Sequence, residues 1–65
     1  MYVDFNFENH GSIWLVRPTS EATRKHLANG VSEEAQWFGG ALAVEPRYIE
    51  SLAQRLQDEG YEVSL

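Results

Sequence analysis

The chain has no cysteine, two prolines, one methionine and only five basic residues in a length of 65. Each shortage excludes something. Without thiols there is no disulfide staple and no thiolate zinc site, so the fold has to rest on packing alone. No apolar run approaches the ~18 residues that a membrane span needs. No glycine-rich segment stands before a helix start, where a phosphate loop would need one. Ten acids against five bases leave a formal net charge of −5. That balance argues against direct contact with nucleic acid or an anionic membrane, and it favours a protein partner with a basic surface or, the commoner case, simply solubility.

What is present suffices for one small core. Apolar residues make up 43%, with two Trp, three Phe and three Tyr. Large aromatics bury the most area per residue, which suits a domain whose core supplies only ~3–5 kcal/mol net. Residues 1–65 are therefore read as a single domain. The chain opens Met1-Tyr2-Val3-Asp4 with no basic leader, and together with the lack of cysteine this gives an expected home in a reducing cytoplasm.

Residues 2–8 alternate, with Val3, Phe5 and Phe7 on one side and Tyr2, Asp4, Asn6 and Glu8 on the other, which predicts a half-buried strand. Asn9-His10-Gly11 is a turn, and 12–17 form a second strand that is apolar on both sides. Ile13 and Leu15 share one side of it, Trp14 and Val16 the other. Thr19 or Ser20 caps a first helix running to about Ala28, stopped by Asn29-Gly30. Its apolar side is thin: Ala22, Leu27 and His26. Ser32-Glu33-Glu34-Ala35 is read as one further turn.

Residues 36–45 read as a third strand, with Gly39-Gly40 marking a bulge or a close approach. Pro46 opens the strongest helix, with Ile49, Leu52, Ala53 and Leu56 at i, i+3, i+4 and i+7. Gly60 ends it, and Tyr61–Leu65 alternates as a last strand. The expected fold is α+β in the order ββαβαβ, a four-stranded, mainly antiparallel sheet with both helices on one face. Tyr2, Trp14 and Val16 are then expected on the open face.

Catalytic signals are thin. His10 and His26 lie in different contexts, neither beside a local Ser or Cys nucleophile. Two histidines without thiolates are too few for a closed zinc site. The carboxylates read as a solvated polar surface, with Glu21 pairing Arg24 or Lys25 and Arg55 pairing Glu59 at helical spacing. No catalytic residue, metal or cofactor is expected. Nor does the charge amount to global DNA mimicry. A compact domain of this length spans roughly 28 Å, over which duplex DNA carries about 16 phosphates. Local mimicry requires the acids to cluster: residues 45–62 hold five acids and two bases, residues 1–10 two acids and no base, and Glu33-Glu34 adds a further spot.

In size, charge and lack of catalytic residues, the whole chain resembles the small acidic proteins that phages and other mobile elements encode, anti-CRISPR inhibitors among them. The stretch from Ala35 to Tyr48, AQWFGGALAVEPRY, also looks like a segment of short bacterial and phage reading frames. The resemblance implies an inhibitor that binds a basic, DNA-handling surface of a type I CRISPR–Cas complex and blocks target DNA. The expected partner-binding residues are Glu33, Glu34, Trp37, Tyr48, Glu50, Asp58, Glu59 and Glu62, with Trp37, Tyr48 or Trp14 as apolar anchor. The alternative expectation is a self-associating accessory protein that uses the open sheet face. The first reading allows a monomer or homodimer; the second requires self-association.

Overall fold

Asn9 and Gly11 make the first turn that the sequence announces. The Gly11 N–H donates to Asn9 Oδ1 over 2.9 Å, and Gly11 takes a φ of 85°, a conformation that glycine adopts without steric cost. A computed structural model describes residues 2–31 and 34–65. Around that turn pair β1 (Phe5–Asn9) and β2 (Trp14–Pro18), antiparallel, with Phe7 opposite Val16. Both strands start two or three residues later than the alternation suggested. The Thr19 hydroxyl donates to the Val3 carbonyl over 2.6 Å, and the Thr19 N–H donates to the Asp4 carbonyl over 3.0 Å.

Ser20 is the N-cap of α1 (Glu21–Asn29). Its hydroxyl accepts from the Thr23 N–H over 3.2 Å, while Thr23 Oγ1 accepts from the Ser20 N–H over 3.1 Å. This is a capping box with Thr in the place usually held by Glu or Gln. Gly30 closes the helix through a 3.1 Å bond to the Leu27 carbonyl. Leu27 and Thr23 are the buried residues; Ala22, expected on the apolar side, is exposed. Of the further turn expected at 32–35, residues 32 and 33 lie outside the described residues.

The third strand is in fact two. β3 (Trp37–Phe38) and β4 (Ala41–Val44) form a hairpin, with Phe38 opposite Ala41 and Trp37 opposite Leu42. Gly39 and Gly40 have φ of 55° and 82°. Positive φ at both central residues is what a two-residue hairpin turn matched to strand twist requires, and Gly-Gly is one of the few pairs that supply it. A bulge would have left the strand continuous; the glycine pair reverses it.

Pro46 begins α2 (Pro46–Asp58), whose Ile49, Ala53 and Leu56 are buried and whose Leu52 is half-buried. The last strand, β5 (Val63–Ser64), pairs with β1 in parallel, Phe5 opposite Val63. The sheet is therefore five-stranded and mixed, in the order β3-β4-β2-β1-β5. The fourth, antiparallel partner that the sequence suggested gives way to this geometry because α2 is a crossover. It carries the chain from β4 past β2 and β1, and a crossover returns a strand parallel to the one it left. α1 does the same from β2 to β3, past β4.

These two crossovers explain why both helices share one side. They leave antiparallel strands and travel in opposite directions across the sheet. A right-handed path for each therefore lands on the same face. The core shows that it does: Phe5, Phe7, Val16 and Leu42 from the strands meet Leu27 from α1 and Ile49, Ala53 and Leu56 from α2. Phe5 and Val16 are fully buried. Val16 thus belongs to the core face rather than to the open one, and Trp14, half-buried, packs against the same cluster. A strand apolar on both sides does not reveal its inner face by period alone. The radius of gyration is 10.8 Å and the longest extent 28 Å.

The glycine turn yields a test. A Cβ at either glycine would meet no atom within 4 Å, so substitution there isolates backbone strain from crowding. Gly40→Ala is expected to cost about 1–2 kcal/mol, and Gly39→Asn to be nearly neutral because Asn tolerates the left-handed region. Urea unfolding of both variants measures the difference; equal losses would contradict the turn assignment.

Candidate functional site

The face of the sheet away from the helices carries the alternate residues of each strand. Register places Asn6 and Glu8 of β1, Leu15 and Arg17 of β2, Ala43 of β4, Phe38 of β3 and Ser64 of β5 there. Phe38 is 55% exposed. Leu15 and Ala43 are half-buried, and Ala41 is fully buried although it sits on this side.

One ion pair crosses this face. Arg17 Nε donates to Glu8 Oε2 over 2.9 Å, and Nη2 donates to Oε1 over 3.4 Å. The third nitrogen, Nη1, reaches the Gly39 carbonyl over 3.2 Å. Arg17 thereby ties the central strands to the β3–β4 turn. A two-point contact of this kind is the strong form of an arginine–carboxylate pair. His10 Nε2 adds a contact to Glu8 Oε1 at 3.3 Å. The hydrogen bond from Arg17, and secondarily that from His10, hold the Glu8 carboxyl down at about 2.

The helix side is different in character. His26 of α1 meets Glu59, the C-cap of α2, at 3.1 Å. The same imidazole lies 4.8 Å from the Tyr61 ring, which packs edge-on to Phe5 at 5.4 Å. This chain of contacts joins both helices to the core through the turn before β5. It also takes Glu59 away from Arg55, the partner expected from spacing. A solvent-open groove of about 470 Å³ runs beside α2, floored by Val31, Ala35, Leu42 and Leu52 and edged by Tyr48 and Arg55.

The expected contact residues separate in space. Glu33 lies outside the described residues. Glu34, Glu50 and Asp58 are exposed, and Asp58 accepts from the Gln54 side-chain amide over 3.0 Å. Tyr48 is 50% exposed with the Arg47 guanidinium 4.8 Å over its ring. Trp37 is half-buried against the core, so the exposed aromatic of that hairpin is Phe38. Glu62 is exposed beside Asp4: its N–H donates to Asp4 Oδ2 and its carbonyl accepts from the Asp4 N–H, both over 2.9 Å. At 100° per residue, Glu50 and Glu59 project from opposite flanks of α2, with Asp58 between them on the outer surface. The acids of 45–62 thus wrap the helix instead of forming a single spot.

Sequence reasoning overlooked the open-face set of Phe38, Leu15, Glu8 and Arg17. The signal was the Gly39-Gly40 turn, which sets Phe38 opposite Ala41 and so fixes its side of the sheet. Among the described residues, no group of three or more His, Asp or Glu side chains stands together in a way that would hold a metal ion. No helix among them is long and apolar enough to cross a membrane. No protein-family model, curated protein or solved structure matches the chain.

The Glu8–Arg17 pair predicts how stability responds to acid. The Glu8 carboxyl is lowered from 4.5 to about 2 in the folded state. Its contribution is thus fully present above 4.5 and is lost as pH falls through about 2. Glu21, lowered by its hydrogen bond from Arg24, acts in the same direction. Glu8→Gln is expected to destabilise the protein at pH 7, with the gap to the parent closing across this acid window. Urea midpoints over pH 2–7 measure it; a gap that is constant with pH would contradict the pairing.

Proposed function

We propose that the protein is a non-enzymatic inhibitor that works by occupying a basic surface of a partner protein. The observation that carries this reading is the lopsided pairing of charge. Arg17, Arg24 and Arg47 are each committed to a carboxylate of their own chain. Asp4, Glu34, Glu50, Asp58 and Glu62 have no basic side chain within ion-pair distance among the described residues. Five unpaired acids thus stand against two cations, Lys25 and Arg55, that have no carboxylate within ion-pair distance among the described residues, so the unpaired charge is mainly negative.

Two acids of α2 stand where local stability disfavours them. Asp58 ends α2 and Glu59 caps it, at the helix end whose dipole favours cations by ~0.3–1 kcal/mol per charge. Charge held against local preference is the kind of feature expected of a contact surface. The partner class follows from chemistry. A protein surface that handles DNA is lined with Lys and Arg spaced for phosphates, and carboxylates on a compact domain compete for it. The resemblance to anti-CRISPR proteins adds the specific candidate, a type I CRISPR–Cas complex whose target DNA would be excluded.

The test is direct. Purified protein is added to a purified type I complex, and binding of target duplex is followed from low to high salt. Stoichiometric loss of DNA binding at low salt, relieved as salt rises, is expected. Reversing Glu50 and Asp58 to Lys should slow association roughly tenfold at low salt without loss of folding stability, because a cation in place of Asp58 suits that end of the helix. No loss of DNA binding at any salt, or association kinetics indifferent to salt and charge reversal, would overturn the reading.

A further inference from the structure

We infer that the groove beside α2 takes a small apolar molecule carrying a single carboxylate, with Arg55 as the group that meets the charge. The inference is independent of the inhibitor reading. A basic partner is repelled by Arg55, and the test uses the isolated protein alone.

The floor of the groove selects the body of the ligand. Val31, Ala35, Val44 and Leu52 pack against the core cluster but stay only half-buried, and the buried Leu42 completes the floor. Apolar surface left to water in this way favours an occupant that covers it with hydrocarbon. The volume of about 470 Å³ lies within the range of roughly 300–1,000 Å³ in which small-molecule sites fall.

Arg55 selects the head group. It stands at the edge of the groove, and no carboxylate of the described residues lies within ion-pair distance of it. Arg17 and Arg24, by contrast, each hold a carboxylate at two points. The Arg55 guanidinium is nonetheless placed. Its Nη2 lies 3.7 Å from where a Cβ on Gly30 would stand, beside the C-terminal end of α1, which favours a cation. A planar guanidinium offers a carboxylate two parallel donors.

Charge limits the ligand to one anionic group. Among the described residues that line the groove, Arg55 is the one with a charged side chain. A polyanion would meet the chain's net −5 with a single cation to offset it, whereas a monocarboxylate is matched. A protein C-terminus carries the same head group, but its backbone amides would lie unpaired on an apolar floor, which is costly. The occupant is therefore a small molecule with a hydrocarbon body.

Octanoate is the probe, titrated into isotope-labelled protein and followed by amide shifts, with octanol and octylamine as controls of the same chain length. Saturable shifts are expected at Val31, Ala35, Leu42, Leu52 and Arg55, weaker binding from octanol and the weakest from octylamine. Raised salt should weaken octanoate and leave octanol unchanged. Arg55→Gln, checked for folding by circular dichroism, should weaken octanoate about tenfold. Lys25→Gln, which removes a cation outside the groove, should not. No saturable shift, shifts confined to other surfaces, octanol bound as tightly as octanoate, or binding indifferent to salt and to Arg55→Gln would each overturn the inference. So would binding that appears only in Glu33→Gln, a change outside the described residues, since Arg55 would then belong to a carboxylate of its own chain.

Discussion

A chain of 65 residues without cysteine has one core to fill and one way to fill it. Both helices are crossovers, and their handedness brings them to the same side of the sheet. Every large apolar side chain that the strands send inward meets them there: Phe5, Phe7, Val16 and Leu42 against Leu27, Ile49, Ala53 and Leu56. No third layer is available, and the other side of the sheet stays bare. The rest of the molecule's surface chemistry follows from that asymmetry. A two-layer domain with a single buried face has to solve two different solvent problems, one on the backs of the helices and one on the open sheet.

It solves them with different chemistry. On the sheet, the exposed strand surface is kept polar by an ion pair that spans β1 and β2 and reaches the β3–β4 turn, so charge there is spent on cross-strand cohesion. On the helices, acids outnumber the bases available to meet them, and Asp58 and Glu59 stand at the unfavourable end of α2. Glu59 is partly relieved by His26, which also stacks near Tyr61. Asp58 has only the Gln54 amide. Packing accounts for the sheet side. It does not account for the charge placement on α2, which is why that helix carries the functional proposal.

Much of the fold was legible from the residues. The alternation of Phe5 and Phe7, the Ser20 cap, and the Pro46 start with its Ile49, Ala53 and Leu56 stripe are local signals, and local geometry honours them. Three features were harder, for distinct reasons. Gly39-Gly40 lies between two short apolar pieces that also read as one alternating run, so the hairpin hid inside a longer strand. Trp14-Leu15-Val16 is apolar on both sides, and only the crossovers decide that Val16 faces the helices and Leu15 does not. The parallel setting of β5 depends on how far α2 carries the chain, which its stripe does not encode. The candidate site was less legible than the fold. Spacing alone assigns Glu59 to Arg55, whereas the structure gives it to His26, a residue of the other helix.

The two surfaces are not independent in what they permit. A domain that met its partner through the sheet would have to displace or satisfy the Glu8–Arg17 pair, whose carboxyl is held at about 2 by that contact. Breaking a two-point pair leaves a desolvated charge on each side, so a partner with one sign of charge is the wrong occupant for this face.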